Sequence, residues 1–315
     1  MNSPIFAFDE TRYTHAKSLW VEPFAYQARF PGKLIRTELA WALAVLFGVP
    51  AAQARVLCEA VELMNTASLI HDDVFDGDGL RRGQPSVWAA YGSTVAIISG
   101  MYGYLGGLQR LAELGNVDVL SAGLDSLEAL HIGQHLDVSA SDGSVLPTLE
   151  EYRLIAQANT GCFFVFLLNA CQCLKPVDEA LYLALKTLLF ELAVYYRYVN
   201  DYCDVNHIPH FEKKGFATDL EGGPKSFLMI LAGQPLAKGK RSSEQKNEIV
   251  RAFGDAGVLD RARALMEATY KQLLDHLAVI GQRCAKPGLK RLEVFIRDIH
   301  FQPGPDDDYY KRMLK

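Results

Sequence analysis

Six long segments of this chain place apolar residues three and four positions apart, the spacing of a single helix face. They are residues 36–48 (RTELAWALAVLFG), 51–74, 124–138, 148–174, 178–205 and 259–282, all rich in Ala and Leu. Strand-like alternation is absent, so the pattern predicts an all-α fold of ten or more helices, some apolar on every face and therefore buried all round. Thr148 followed by Glu151 reads as a capping box, and Gly115 and Gly143 fall just past apolar runs, where helices end. Half of the 315 residues are hydrophobic, enough for a large core. No linker, repeat or shift in composition divides the sequence, so residues 1–315 read as one helical domain too large for a simple four-helix bundle.

Charge narrows the partners. Lys and Arg number 32 against 37 Asp and Glu, a net charge of −5, and no basic run exceeds two residues. A nucleic-acid backbone needs a basic footprint that this chain lacks. The opening MNSPIFAFDETRYTH has neither the basic start nor the apolar run of a secretion signal. The longest apolar stretch, 161–174, is 14 residues long and contains Asn169 and Gln172, too short and polar for a membrane span. Six cysteines, at 58, 162, 171, 173, 203 and 284, lie mostly in apolar runs with no CxxC, which predicts reduced core thiols and a cytoplasmic protein.

Chemistry concentrates in two acidic clusters. Residues 68–86 read SLIHDDVFDGDGLRRGQPS. On a helix Asp72 and Asp76 share one face, one turn apart, while Asp73 points about 100° away. Hard oxygen ligands without a His/Cys pattern suit Mg²⁺, which binds through one or two carboxylates plus substrate phosphates. Arg81 and Arg82 follow at once, and acids with guanidiniums together fit a bound diphosphate; the alternative is a solvated acidic helix end. In the second cluster, 195–206 (YYRYVNDYCDVN), Asn200 and Asp204 form another pair one turn apart, with Asp201 beside them. Two such clusters facing each other across a cavity would share metal ions around one diphosphate. His131 and His135 have the spacing of a zinc pair, but HExxH is absent and HIGQHLD reads better as a Gln134/Asp137 motif. His71 reads as a structural hydrogen-bonder. The Gly-rich stretch 100–107 lacks a preceding strand and reads as a site of close helix packing, not a dinucleotide loop.

This spacing resembles the trans-prenyl diphosphate synthases. The likeness runs through PGKLIR (31–36), SLIHDDVFDGDGLRRGQP (68–85), HIGQHLD (131–137) and KKGFATDLEGGPKSFLMILA (213–232), and is strongest toward the fungal geranylgeranyl diphosphate synthases. It implies an isoprenoid-synthase bundle around a deep central cavity, with three Mg²⁺ held by Asp72, Asp76, Asn200, Asp201 and Asp204. Asp72, Asp76 and Asp201 would be catalytic. Arg81, Gln134, Thr160, Lys214 and Lys225 would contact the allylic diphosphate, and Lys33, Arg36, Asn65, Arg82 and Arg197 the phosphate end of the second substrate. Ala67 and Ser68 occupy the chain-length gate, where small side chains leave room for a long prenyl tail. The resemblance also implies a homodimer.

The chain departs from that family pattern around one cavity. Asn200 replaces the first Asp of the second motif and offers a metal no charge. Tyr196 and Arg197 stand for Phe-Gln, Asn65 for His or Gln, and Asn159 with Thr160 for Lys-Thr; in the 219–225 block Lys225 is displaced by one place, after Pro224. The combination resembles the indole-diterpene prenyltransferases of paxilline type, which move the geranylgeranyl group from its diphosphate to C3 of indole-3-glycerol phosphate. On that reading the donor half is intact and the acceptor half altered, with Tyr195 and Tyr198, and Tyr196 between them, as ring faces for the indole; the alternative is that these tyrosines are core. Arg197 has Glu191 as an alternative partner. A geranylgeranyl diphosphate synthase using isopentenyl diphosphate, and more distantly a non-catalytic partner subunit, are the competing functions.

Overall fold

The computed structural model describes residues 9–283 and 287–315; Cys284 lies outside the described residues. Within them the chain forms fifteen α-helices: α1 (Glu10–Ala28), α2 (Ile35–Phe47), α3 (Ala51–Asp76), α4 (Val87–Tyr91), α5 (Ser93–Ala112), α6 (Val117–Asp142), α7 (Leu149–Asn159), α8 (Gly161–Leu174), α9 (Glu179–Asn206), α10 (Ile208–Lys214), α11 (Phe227–Ala232), α12 (Ser243–Asp255), α13 (Val258–Arg283), α14 (Pro287–Asp298) and α15 (Tyr309–Met313). The expected all-α class holds. Among the described residues the extended structure is a two-residue hairpin, Leu80–Arg81 against Gln84–Pro85, and one isolated bridge from His207 to Asp308.

Local chemistry sets the helix ends. At α7 the capping box is present: Thr148 Oγ1 accepts from the Glu151 amide, and the Glu151 carboxylate accepts from the Thr148 amide. Helix α3 stops at Asp76 because Gly77 takes a left-handed conformation, φ 71°, which costs glycine little. The first acidic motif is thereby presented on the last turn of a 26-residue helix, with the hairpin folding back over it.

Helix packed on helix buries the core. Helix α8 carries Phe163, Phe164, Phe166, Leu167 and Leu168 essentially without exposure, so it lies inside the bundle with α2, α6 and α9 against it. Helix α9, 28 residues long, packs along α13 and α8 and brings the second motif to the same end of the molecule as the first. Helices α3 and α5 approach closely through Gly100, Gly103 and Gly107. A Cβ at Gly103 would stand 2.5 Å from the Leu63 carbonyl and 2.8 Å from Ala67 Cβ, and one at Gly107 would stand 2.5 Å from Met64 Cγ. The expected close packing of the 100–107 stretch is therefore present. His71 lies in this seam, its ring nitrogen 2.9 Å from the Ile97 carbonyl, a structural contact as read from the sequence. Among the described residues no single helix is long and apolar enough to cross a membrane.

Candidate active site

The ends of α3, α6 and α9, the segment before α2 and the loop around α10 enclose one cavity of about 610 Å³. Asp72 and Asp76 both line it, as the one-turn spacing predicts, and their side chains are 33% and 23% exposed. Asp73 points away, fully buried, and takes the Arg81 Nε–H at 2.8 Å. Arg81 thus serves Asp73 first, and its guanidinium lies 3.7 Å from Asp72 and 3.9 Å from Asp78. Gln134 on α6 donates to Asp72 Oδ1 at 3.1 Å. The recess and the neighbouring Asp76 carboxylate push the Asp72 carboxyl up from its ordinary range.

Beyond Asp76 a row of alternating charges crosses to α9. Lys225 Nζ donates to Asp76 Oδ1 at 2.6 Å and to Asp137 Oδ2 at 2.8 Å. Arg197 donates through Nη2 to Asp137 Oδ1 at 2.6 Å, and its Nε stands 3.7 Å from Asp201. Burial alone would raise the Asp137 carboxyl, but Arg197 and Lys225 outweigh it and hold Asp137 well below the carboxylate range. Asp201 behaves oppositely: burial and the nearby Asp219 push it up to about 6 despite Arg197. The chain can place Lys225 here because Gly223, φ 88°, lies directly on the Ser141 backbone, where a Cβ would not fit. Lys214 sits between Asp78 at 3.3 Å and Asp219 at 3.4 Å.

A basic wall faces the acids. Lys33, Arg36 and Arg82 all line the cavity. Arg82 donates to the Phe30 carbonyl and lies over Gly32, which has no Cβ to obstruct the guanidinium. Arg36 rests over the Phe163 and Phe164 rings at 5.5 and 5.7 Å, and its buried Nε has no hydrogen-bond partner. Asn65 Oδ1 is also buried without one, and Thr160 contacts Asn159 at 3.2 Å; all three of these polar residues line the cavity.

Four residues expected at the site face elsewhere. Ala67 is buried against Gly103 of α5 on the far side of α3, so of the expected gate pair Ser68 alone reaches the cavity. Tyr195 lies on the opposite face of α9, where its hydroxyl accepts from the Phe301 amide at 2.8 Å beside Tyr270. Tyr198 is stacked in the core on Tyr152, ring centres 5.6 Å apart and nearly parallel. Tyr196, between them, lines the cavity, while Tyr195 and Tyr198, three residues apart, share a face that α9 turns to the core. Asp204 is fully buried, and its oxygens accept from Thr218 Oγ1 at 2.9 Å and from the Thr218 and Asp219 amides at 3.2 and 2.9 Å. It holds the turn that presents Asp219, and is not aimed at the cavity. Arg197 pairs with Asp137 and Asp201, not with Glu191, which Arg153 takes at 2.7 Å. Asp137, Asp219, His210 and Lys213 line the cavity without having been singled out as site residues. Asp137 and Asp219 sat in plain view within the quoted motifs 131–137 and 213–232.

The donor set decides where a divalent ion fits. Asp72 and Asp76 offer partly exposed carboxylate oxygens one turn apart, suited to Mg²⁺ completed by water and phosphate. Among the described residues no group of three or more His, Cys, Asp or Glu is placed to hold a metal ion by itself, so an ion at Asp72 and Asp76 would need water and phosphate to complete it.

A helical bundle closed around a cavity lined by paired acids and by a group of three bases has the isoprenoid-synthase architecture. The polyprenyl synthetase family matches residues 17–266, and this chain belongs to that family. It is 30% identical to a geranylgeranyl pyrophosphate synthase of Penicillium paxilli, over 78% of this chain and 65% of that one, and 32% identical to another of Macrophomina phaseolina, over 66% and 63%. A bifunctional sesterterpene synthase of Talaromyces wortmannii is 27% identical over 83% of this chain, which spans 36% of that protein's length. The fold matches a polyprenyl synthase from Caulobacter crescentus, solved with calcium and isoprenyl diphosphate, at a TM-score of 0.76 and 20% identity, covering 93% and 96% of the two chains. It also matches a decaprenyl diphosphate synthase from Rhodobacter capsulatus at 0.73 and 19%, covering 92% and 96%.

Proposed function

We propose that this chain, as one helical domain, transfers a geranylgeranyl group from its diphosphate to C3 of indole-3-glycerol phosphate. The observation that supports the proposal is the make-up of the cavity: a partly exposed Asp72/Asp76 pair, each with one oxygen free of a hydrogen bond, together with Arg36, with an unpartnered Nε, Lys33, Arg82 and the ring of Tyr196. Mg²⁺ at Asp72 and Asp76 would neutralise the departing diphosphate. Lys225 and Lys214 hold fixed positive charge where that diphosphate gathers, and Arg81 braces Asp72 from behind. Gln134 keeps the Asp72 carboxylate turned toward the cavity. Ser68 leaves room for the prenyl tail, and Leu69 and Leu130 give it an apolar wall that would keep water from the allylic cation. Lys33, Arg36 and Arg82 grip the acceptor phosphate, which sets indole C3 against the cation with Tyr196 alongside. The C1–O bond of the donor breaks and the C1–C3 bond forms. Cleavage of the C3–side-chain bond then returns its electron pair to the ring and releases glyceraldehyde phosphate, the side-chain hydroxyl proton passing to the freed diphosphate.

The relatives named geranylgeranyl pyrophosphate synthases favour a second reading, in which the same basic wall takes isopentenyl diphosphate. One paired assay separates the two: protein, Mg²⁺ and geranylgeranyl diphosphate with either acceptor, products identified by mass spectrometry. A prenylated indole with indole-3-glycerol phosphate and no elongation with isopentenyl diphosphate is the expected result; elongation alone replaces the proposal with the synthase. Exposed apolar residues on adjacent helices, Ile98, Met101 and Leu105 of α5 with Leu124 and Ile132 of α6, support a homodimer through this face. The free thiols among the described cysteines support a reducing, cytoplasmic setting.

A further inference from the structure

The second acidic motif does not fit a metal, although the resemblance in sequence implies one there. Three of the four carboxylate oxygens of Asp201 and Asp204 accept hydrogen bonds, the fourth, Asp201 Oδ1, faces Arg197 at 3.7 Å, and Asp137 of α6, which shares Arg197 with it, is paired through both oxygens. Both oxygens of Asp137 carry a cationic donor, Lys225 at 2.8 Å and Arg197 at 2.6 Å. Asp201 accepts through Oδ2 from the Tyr152 hydroxyl at 2.9 Å and the Phe227 amide at 3.2 Å, and faces Arg197 through Oδ1. Asp204 caps the 218–219 turn with both oxygens. Asn200 brings no charge.

We infer that the α9 end of the cavity takes no divalent ion, and that Arg197 and Lys225 are its resident cations. Positive charge is already resident there: Arg197 and Lys225 stand against Asp137 and Asp201, Lys225 reaching Asp76 as well, and Lys214 stands beside Asp219. Mg²⁺ would have to lose several waters and displace a guanidinium that is 17% exposed and stays charged at every working pH. Arg197 displaced from Asp201 would keep Asp137 alone, since Glu191 is held by Arg153. An Asn in place of Asp at 200 is then a matching change, because a third acid beside an Arg that already serves two would leave unpaired negative charge. Divalent ions enter at Asp72 and Asp76 alone, and the far side of the diphosphate meets Arg197 and Lys225 directly. These give fixed donors to an anion where a metal would give an exchangeable one.

This inference rests on the proposed diphosphate chemistry, and its test reads bound metal, not turnover. Mn²⁺ is counted by electron paramagnetic resonance in the presence of inorganic pyrophosphate, for the unsubstituted chain and for Asp72→Asn, Asp201→Asn and Arg197→Gln. Asp72→Asn is expected to lose at least one ion, Asp201→Asn to keep the full count with half-saturation within about twofold, and Arg197→Gln to gain one ion. Loss of an ion in Asp201→Asn overturns the inference, and so does an unchanged count in a folded Arg197→Gln protein. Should Arg197→Gln not fold, Asp201→Asn, which keeps the shape and the acceptor for Tyr152, decides alone. A parent chain that binds no Mn²⁺ with pyrophosphate would overturn the diphosphate reading itself, a failure distinct from either of these.

Discussion

Asp137 joins the two halves of the charged row, and Asp137→Asn removes its charge without changing its size. The carboxyl is 6% exposed and accepts from Arg197 and Lys225 at 2.6 and 2.8 Å. Removing one partner of a buried ion pair costs about 3–5 kcal/mol, because the other charge is left uncompensated. Here each cation keeps a second acid, Arg197 having Asp201 at 3.7 Å and Lys225 having Asp76 at 2.6 Å, so the low end, about 3 kcal/mol, applies. At roughly 2 °C per kcal/mol for a chain of this size, Tm should fall by about 6 °C at pH 7. The pH dependence has a definite sign. The folded carboxyl titrates below its unfolded value, so its contribution is complete above the unfolded pKa and disappears as pH falls through the folded one. The gap between parent and variant should therefore stay constant from neutrality down to about pH 5 and close only in strong acid. Differential scanning calorimetry across that range measures it. Combining Asp137→Asn with Lys225→Met should cost less than the sum of the two single changes, by about 1–3 kcal/mol. A variant melting within about 1 °C of the parent at pH 7, or strict additivity in the double variant, would refute the claim that this row is a coupled buried network.

Other consequences follow from the cavity walls. Arg36→Ala should raise the acceptor KM about 10- to 100-fold, the worth of a charge-assisted hydrogen bond, with the donor KM nearly unchanged; equal effects on both in steady-state kinetics would contradict the division of the cavity. Burial, and next Lys214, depress the His210 imidazole to about 4, so the unliganded protein should lose up to about 3 kcal/mol of stability as pH drops from 6.5 toward 4. His210→Gln should flatten that part of the acid unfolding profile, and an unchanged profile would count against a neutral buried histidine. Ser68→Phe should shift donor preference toward shorter allylic diphosphates in competition assays, whereas Ala67→Phe, which drives into Gly103, should mainly lower expression and Tm.

The fold was legible because helix periodicity needs no tertiary information: the segments marked by apolar spacing fall on α3, α6, α7 with α8, and α9, and the Thr148 cap formed as read. Within the site, positions one turn apart on one helix were equally legible, as with Asp72 and Asp76. What failed was direction around a helix at a buried site. Ala67, Tyr195 and Tyr198 are apolar-compatible residues on helices buried nearly all round, where periodicity no longer says which face meets the cavity and which the core. Partner choice failed too. Arg197 has acids on both sides in sequence, Glu191 and Asp201, and nothing local reveals that α6 delivers Asp137 between Arg197 and Lys225. Asp204 shows the same limit, since only the fold of 215–219 determines that its oxygens are used by a turn.

The glycine seam between α5 and α3 makes α3 a fixed ruler. With Gly103 and Gly107 admitting its backbone to near contact, α3 can neither rotate nor slide along α5 without collision. Distances into the cavity are then graduated by the helix itself at 1.5 Å per residue, which sets Ser68 about 6 Å and Asn65 about 10 Å beyond Asp72. Along such a scale the length of prenyl group admitted changes by single side chains at marked positions, while the zero point, the first acidic pair, stays where it is.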